Sequence, residues 1–145
     1  MGTTYRHTQV SRTTLVVVGL ALVVALLWAG RTAEPVASSG ALLVGVVLVL
    51  FSTLTVIVRD QAVVVFFGPG LIRRSIPLGR VREVREVTNR WYYGWGIRLT
   101  PYGWLWNVHG LGGVEIQFDD GHRFRIGSDE PDKLAAAILE ARRAV

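Results

Sequence analysis

The sequence predicts a membrane α-hairpin followed by an all-β domain, a small barrel or sandwich of seven or eight strands closed by a C-terminal helix. Three observations predict it. Thr13–Gly30 and Val36–Val58 contain no charged residue. From about residue 54, short apolar runs alternate with turn signals at strand spacing. The chain then ends on a segment with one apolar stripe at helical spacing.

Residues 1–12 read as a cytoplasmic N-terminal tail, and residues 13–54 as the hairpin, with helices at about 13–30 and 36–54. Eighteen helical residues rise about 27 Å, close to the hydrocarbon thickness of a bilayer. Ten of the residues from Thr13 to Gly30 are Leu or Val, worth roughly 3–6 kcal/mol of insertion free energy before Gly and Thr are discounted. Trp28 falls where an indole suits the lipid interface. The connection Arg31–Ser39 is short, with Pro35 and Ser38-Ser39 as breakers, so the two spans are antiparallel. Arg6 and Arg12 precede the first span, and Arg59, Arg73 and Arg74 follow the second. The loop holds Arg31 offset by Glu34. By the positive-inside rule both termini are then cytoplasmic, on a multi-pass protein of the cell membrane. The alternative is a cleavable signal peptide with Arg6 and Arg12 as its basic region. The second span then becomes a stop-transfer helix, and the β-domain still stays inside.

The second helix ends near Ser52–Leu54, because Leu54–Phe67 is rich in β-branched and aromatic residues with a polar turn at its centre. Residues 54–145 form the β-domain. Gly68-Pro69-Gly70 joins Ala62–Phe67 to Leu71–Ile76. Thr100-Pro101-Tyr102-Gly103, a type I turn pattern, joins Trp95–Leu99 to Trp104–Val108. Asp119–His122 joins Val114–Phe118 to Arg123–Ile126. In Arg80–Val87 the valines are three apart, which suggests a helical turn, but β-branching and the neighbouring strands favour an extended segment. The helix at about 130–143 has Asp129 as its N-cap, Pro131 in its first turn, and Leu134, Ile138, Ala141 and Val145 on one stripe.

The chain has no cysteine, which excludes disulfides and thiolate zinc. His7, His109 and His122 are scattered without metal-ligand spacing. There is no phosphate loop and no nucleophile elbow. The expectation is a protein that is not an enzyme, with no catalytic residue, no metal, no cofactor and no identified small-molecule substrate. The net charge is +5, carried by fifteen Arg and one Lys, which permits an anionic partner. Nucleic acid is not expected, because nothing resembles a recognition helix and Glu115–Val145 is net acidic.

Two constellations are candidate binding sites. Seven aromatics, including Trp95, Trp104 and Trp106, lie between residues 91 and 106, interleaved with Gly94, Gly96 and Gly103. They either pack a core, sit at the lipid interface, or line a ligand or peptide groove. Strand alternation puts Trp104 and Trp106 on one face, so both are core or both are presented. Arg73, Arg74, Arg80, Arg82, Arg85 and Arg90 face only Glu83 and Glu86, a local net charge of +4. They either hold the domain on anionic headgroups or only enforce topology and solubility. Arg98, between Ile97 and Leu99 beside Trp95, either stacks on a ring or binds an anion, or is a plain strand-surface arginine.

Several segments resemble the bacterial pleckstrin-homology-like (PH-like) membrane proteins, in a largely uncharacterised subgroup with two transmembrane helices. They are the hairpin ending in Phe67-Gly68, Arg74–Leu78 leading into Val81–Val87, Tyr93–Arg98 with Gly103–Val108 and Gly110, and Asp120–Pro131. Position 128 is more often Thr in that pattern, and Ser128 keeps the hydroxyl. The resemblance implies a PH-like fold, a membrane location and no established enzymatic activity, and it carries over no catalytic residue. The expected role is a membrane-anchored binding or scaffolding module that engages a protein partner or a second copy of itself. The alternative is an anionic-lipid headgroup sensor. The candidate binding residues are Arg73, Arg74, Arg80, Arg82, Arg98, Trp95, Trp104 and Trp106, and the expected partners are membrane lipids and a protein.

Overall fold

A computed structural model describes residues 3–32 and 35–145. They form a mixed α/β molecule: two packed sheets, an apolar pair of helices and a C-terminal helix. In chain order the elements are β1 (Thr3–Val10), α1 (Arg12–Thr32), α2 (Pro35–Phe51), β2 (Thr53–Arg59), β3 (Ala62–Phe67), β4 (Ile72–Pro77), β5 (Val81–Thr88), β6 (Gly96–Thr100), β7 (Gly103–Asn107), β8 (Gly112–Phe118), β9 (Arg123–Gly127) and α3 (Pro131–Arg143). Single 3-10 turns lie at Leu78–Arg80 and Trp91–Tyr93.

The first four strands make an antiparallel sheet in the order β1-β2-β3-β4. The other five run β5-β8-β9-β7-β6, with β7 and β9 parallel and the remaining pairs antiparallel. Between the sheets lie residues such as Leu54, Val65, Phe67, Ile116, Phe124 and Ile126, all fully buried. Helix α3 adds Leu134, Ile138 and Ala141 to the same core. Arg80–Val87 resolves as expected into an extended strand, β5, after a short helical turn.

Eight strands follow residue 52, and a ninth comes from the segment expected to be a tail. β1 pairs with β2 from Thr3↔Arg59 to Val10↔Thr53. Its hydrophobic pattern hides it, because Tyr5, His7 and Gln9, which share one face of the strand, are mostly polar. His7 Nε2 meets Asp129 Oδ1 at 2.7 Å, and Gln9 is buried. The His7 contact also corrects the expected cap of α3. Asp129 is engaged by His7, Glu130 occupies the cap position without a side-chain cap bond, and Ser128 Oγ accepts the Glu130 N–H. Val145 falls beyond the helix and is exposed, so the stripe ends at Ala141.

Ser11 caps α1, its Oγ accepting the Thr14 N–H at 3.1 Å. By length and composition α1 is able to cross a membrane, and protein buries none of it. α2 is apolar but shorter, with 17 residues. Pro35 and Ser38-Ser39 open α2 rather than break the chain, because Pro needs no hydrogen-bond partner at a first helical position. Glu34, expected to offset Arg31, lies outside the described residues. The helices lie side by side, with Leu22 in van der Waals contact with the position a Gly45 Cβ would take.

The sandwich joins this pair without a linker. The Ser11 N–H donates to the Ser52 carbonyl and the Gly68 N–H to the Thr53 carbonyl, both at 3.0 Å. A side chain at Gly68 (φ +49°) would press on the Val49 and Leu50 carbonyls, so the β3–β4 turn sits directly on the last turn of α2. Rings continue the contact inward: Phe51 packs on Phe67 and Phe67 on Trp106, each pair with centroids 5.2 Å apart.

Among the described residues the buried Tyr5 hydroxyl has no hydrogen-bond partner. Burial, together with the charges of Glu130, Asp129 and Asp132, pushes its pKa up to about 12. The fold therefore holds a neutral phenol that an unfolded chain ionises near pH 10. Its stabilising contribution is complete below that pH and is lost as pH rises to about 12. Melting temperature should fall more steeply between pH 10 and 12 in the native chain than in Tyr5→Phe, as read by thermal denaturation in detergent.

Candidate functional site

A surface groove lies at the free edge of the first sheet. β4 reads Ile72-Arg73-Arg74-Ser75-Ile76-Pro77, and alternation sends Ile72, Arg74 and Ile76 towards the core. Ile76 is buried, and Ile72 packs against the core. Arg74 follows the same register and lays its guanidinium carbon over the Phe124 ring, 4.6 Å from its centroid. The ring face stabilises the cation there. Among the described residues Arg74 has no carboxylate partner within ion-pair distance.

A groove of about 380 Å³ opens beside β4, lined by Arg74, Ile76, Arg80, Trp104, Phe118 and His122 among others. Arg80 Nη2 meets Asp120 Oδ2 at 3.0 Å. The backbone N–H of His122 holds the Asp120 carboxyl below its ordinary pKa, helped by the His122 ring and Arg80. Asp120 therefore stays ionised and fixes Arg80 at the rim. The groove offers backbone from a strand edge, an aromatic face and cationic ends. Ser75 and the Asp120–His122 pair also line it, but among the described residues no hydrogen bond joins Ser75 to His122, and no His, Asp and Glu cluster has metal-binding geometry.

Trp104 is 46% exposed above this groove, whereas Trp106 is 7% exposed. Both share one face of β7, as alternation requires, but the expectation that their burial would match is overturned. Trp106 lies between Phe67 of β3 and Phe124. Trp104 lies beside β4, the last strand of its sheet, and among the described residues no further strand covers it there. Trp106 is thus a core residue and not part of a binding surface.

The other expected site residues are dispersed. Arg73 points to the opposite face of β4 and lines a separate hollow of about 430 Å³ with Ile57, Val64 and Phe66. Arg82 is exposed on β5, where the ladder shifts between Val81 and Glu83. Trp95 is half exposed beside Trp91, which is 81% exposed. Among the described residues Arg98 stacks on no ring; it donates from Nε to the Trp95 carbonyl at 3.1 Å. The structure therefore unites Arg74, Arg80 and Trp104. It adds Asp120 and His122 of the Asp119–His122 turn and Arg123, the first residue of β9.

Sequence reasoning also missed a buried ion pair. Arg125 Nε donates to Glu115 Oε2 at 2.7 Å, with both side chains under 10% exposed. Arg125 Nη1 reaches Asn89 Oδ1 at 3.3 Å, and its guanidinium lies 4.2 Å from the Tyr102 ring centroid. The signal was present in Val114-Glu115-Ile116 and Phe124-Arg125-Ile126, an acid and a base each flanked by apolar residues on strands paired in that register. No protein-family model matches the chain, and no curated protein matches it.

Removing one member of a buried pair strands its partner's charge. Glu115→Ala should destabilise the fold by about 3–5 kcal/mol. The double variant Glu115→Leu with Arg125→Met should recover most of the loss. Denaturant titration followed by tryptophan fluorescence reads both.

Proposed function

We propose that this chain is a membrane-anchored, non-enzymatic binding module of PH-like architecture, which holds a protein partner at the cytoplasmic face of the cell membrane. In this reading α1 and α2 cross the bilayer as a hairpin. The 17 residues of α2 reach about 26 Å, at the short end of what a span needs. The pairing of β1 with β2 supports the double crossing. β1 precedes α1 and β2 follows α2, so a single crossing would put two hydrogen-bonded strands on opposite sides of the membrane. The same pairing argues against signal cleavage, which would remove β1 from the sheet. Arg6, Arg12, Arg59, Arg73 and Arg74 all flank the hairpin on the side of the sandwich, which favours the cytoplasm.

The observation that carries the binding role is Trp104. It is a large ring left half exposed over an open groove, on a domain that two short junctions fix to its anchor. Exposed tryptophans beside arginines are the residue types that dominate binding energies at protein interfaces. A second reading, contact with anionic lipid headgroups, is favoured by Leu71 and Arg73. Leu71 is 78% exposed, and both follow the Gly68 turn that rests on α2.

The full chain, extracted from membranes in mild detergent, should bring down one specific protein or a second copy of itself. Trp104→Ala should reduce that yield at least tenfold with the melting temperature unchanged. A monomeric preparation without a partner would contradict the reading. If headgroups are the ligand instead, amide exchange at Leu71–Arg74 should slow in phosphatidylserine nanodiscs relative to phosphatidylcholine ones, and salt should reverse the effect.

A further inference from the structure

We propose that β4 accepts an extended acidic segment of the partner protein as a fifth strand of its sheet. This rests on the binding reading above and names the class of partner. Among the described residues β4 is paired only with β3. Its six residues are the usual length of a strand, and its outer edge presents unpaired backbone groups. Pro77 at its end, which has no backbone N–H to donate, suits an edge position.

The side chains define what the added strand must carry. Arg73 and Arg74 are adjacent and therefore project on opposite faces of β4, one towards the outer hollow and one into the groove. Opposite charges directly across a strand pair are favourable. A matching strand thus has two adjacent acidic residues, one for each face. Ile76 and Trp104 line the groove on the side of Arg74. The matching strand therefore also carries an apolar residue two positions from the acid that meets Arg74.

A second copy of the chain fits this edge poorly. β4 contains two arginines and no acid, so pairing with itself would set cations against cations, which is unfavourable. A bilayer fits it poorly too. β4 starts just after the turn that rests on α2 and runs away from it, so Pro77 lies about 17 Å further from the helices at strand rise. A protein segment in solution reaches that height, whereas headgroups meet the strand only near its start.

The test uses the full chain in phosphatidylcholine nanodiscs. The probe is an eight-residue peptide of alternating valine and threonine with two adjacent glutamates at its centre, and the control carries two lysines there. The glutamate peptide should bind at least tenfold more tightly, weaken with salt, and slow amide exchange along Arg73–Ile76. Arg73→Glu combined with Arg74→Glu should reverse the preference, so that the lysine peptide binds better. Equal binding of both peptides, binding of neither, or protection confined to other strands would overturn strand addition. So would protection of β4 by phosphatidylserine nanodiscs without peptide, which would assign the edge to lipid. If a partner still co-purifies through Trp104 while neither peptide binds, strand addition fails and the binding reading stands. If no partner co-purifies and neither peptide binds, both fail.

Discussion

The pairing of β1 with β2 is the constraint on which the rest of the molecule depends. These strands bracket the two apolar helices, one immediately before α1 and one immediately after α2. If the helices cross a bilayer, as proposed, this pairing requires them to return the chain to its starting side. The pairing also makes the sandwich non-local: its first strand is separated from its second by the whole hairpin. Backbone bonds at Ser11–Ser52 and Gly68–Thr53 close the junction. A fragment beginning at Arg59 would lack two strands of one sheet.

A column of rings carries that geometry into the core. Phe51 at the end of α2 packs on Phe67 of β3, Phe67 on Trp106 of β7, and Trp106 on Phe124 of β9. Helix, first sheet and second sheet are thereby packed as one body, since tilted and edge-to-face rings interlock more specifically than aliphatic side chains. The same column explains the groove. It fills the sandwich as far as β3 and leaves the β4 side open. Arg74 and Trp104 occupy inward register positions there without being sealed.

Features set by local chemistry were legible in the sequence. Absence of charge marked both helices, and β-branched density placed the end of α2 within a few residues. Glycine- and proline-bearing turns located β6, β7, β8 and β9. Features set by packing were not. β1 is amphipathic in the wrong sense for hydrophobic patterning, because its inward face carries Tyr5, His7 and Gln9, with His7 meeting Asp129 and Glu130 beside α3. Alternation correctly put Trp104 and Trp106 on one face, but their exposure depends on how far the opposing sheet extends beneath β7. Arg74, Arg80, Trp104 and Asp120 come from separate strands and turns, so their meeting follows from how the sheets stack and from no motif. The one site signal available was the register of Ile72-Arg73-Arg74-Ser75-Ile76, which places a cation where a core residue belongs.

The measurement that tests the account most directly uses the absence of cysteine from the sequence. Single cysteines at Arg6→Cys, Ala33→Cys and Arg143→Cys can be exposed to a membrane-impermeant maleimide on intact cells and again after permeabilisation. A hairpin bracketed by paired strands predicts labelling of the Ala33→Cys protein from outside, and of the other two only after permeabilisation. Labelling of Arg6→Cys and Arg143→Cys from opposite sides of the membrane would contradict it.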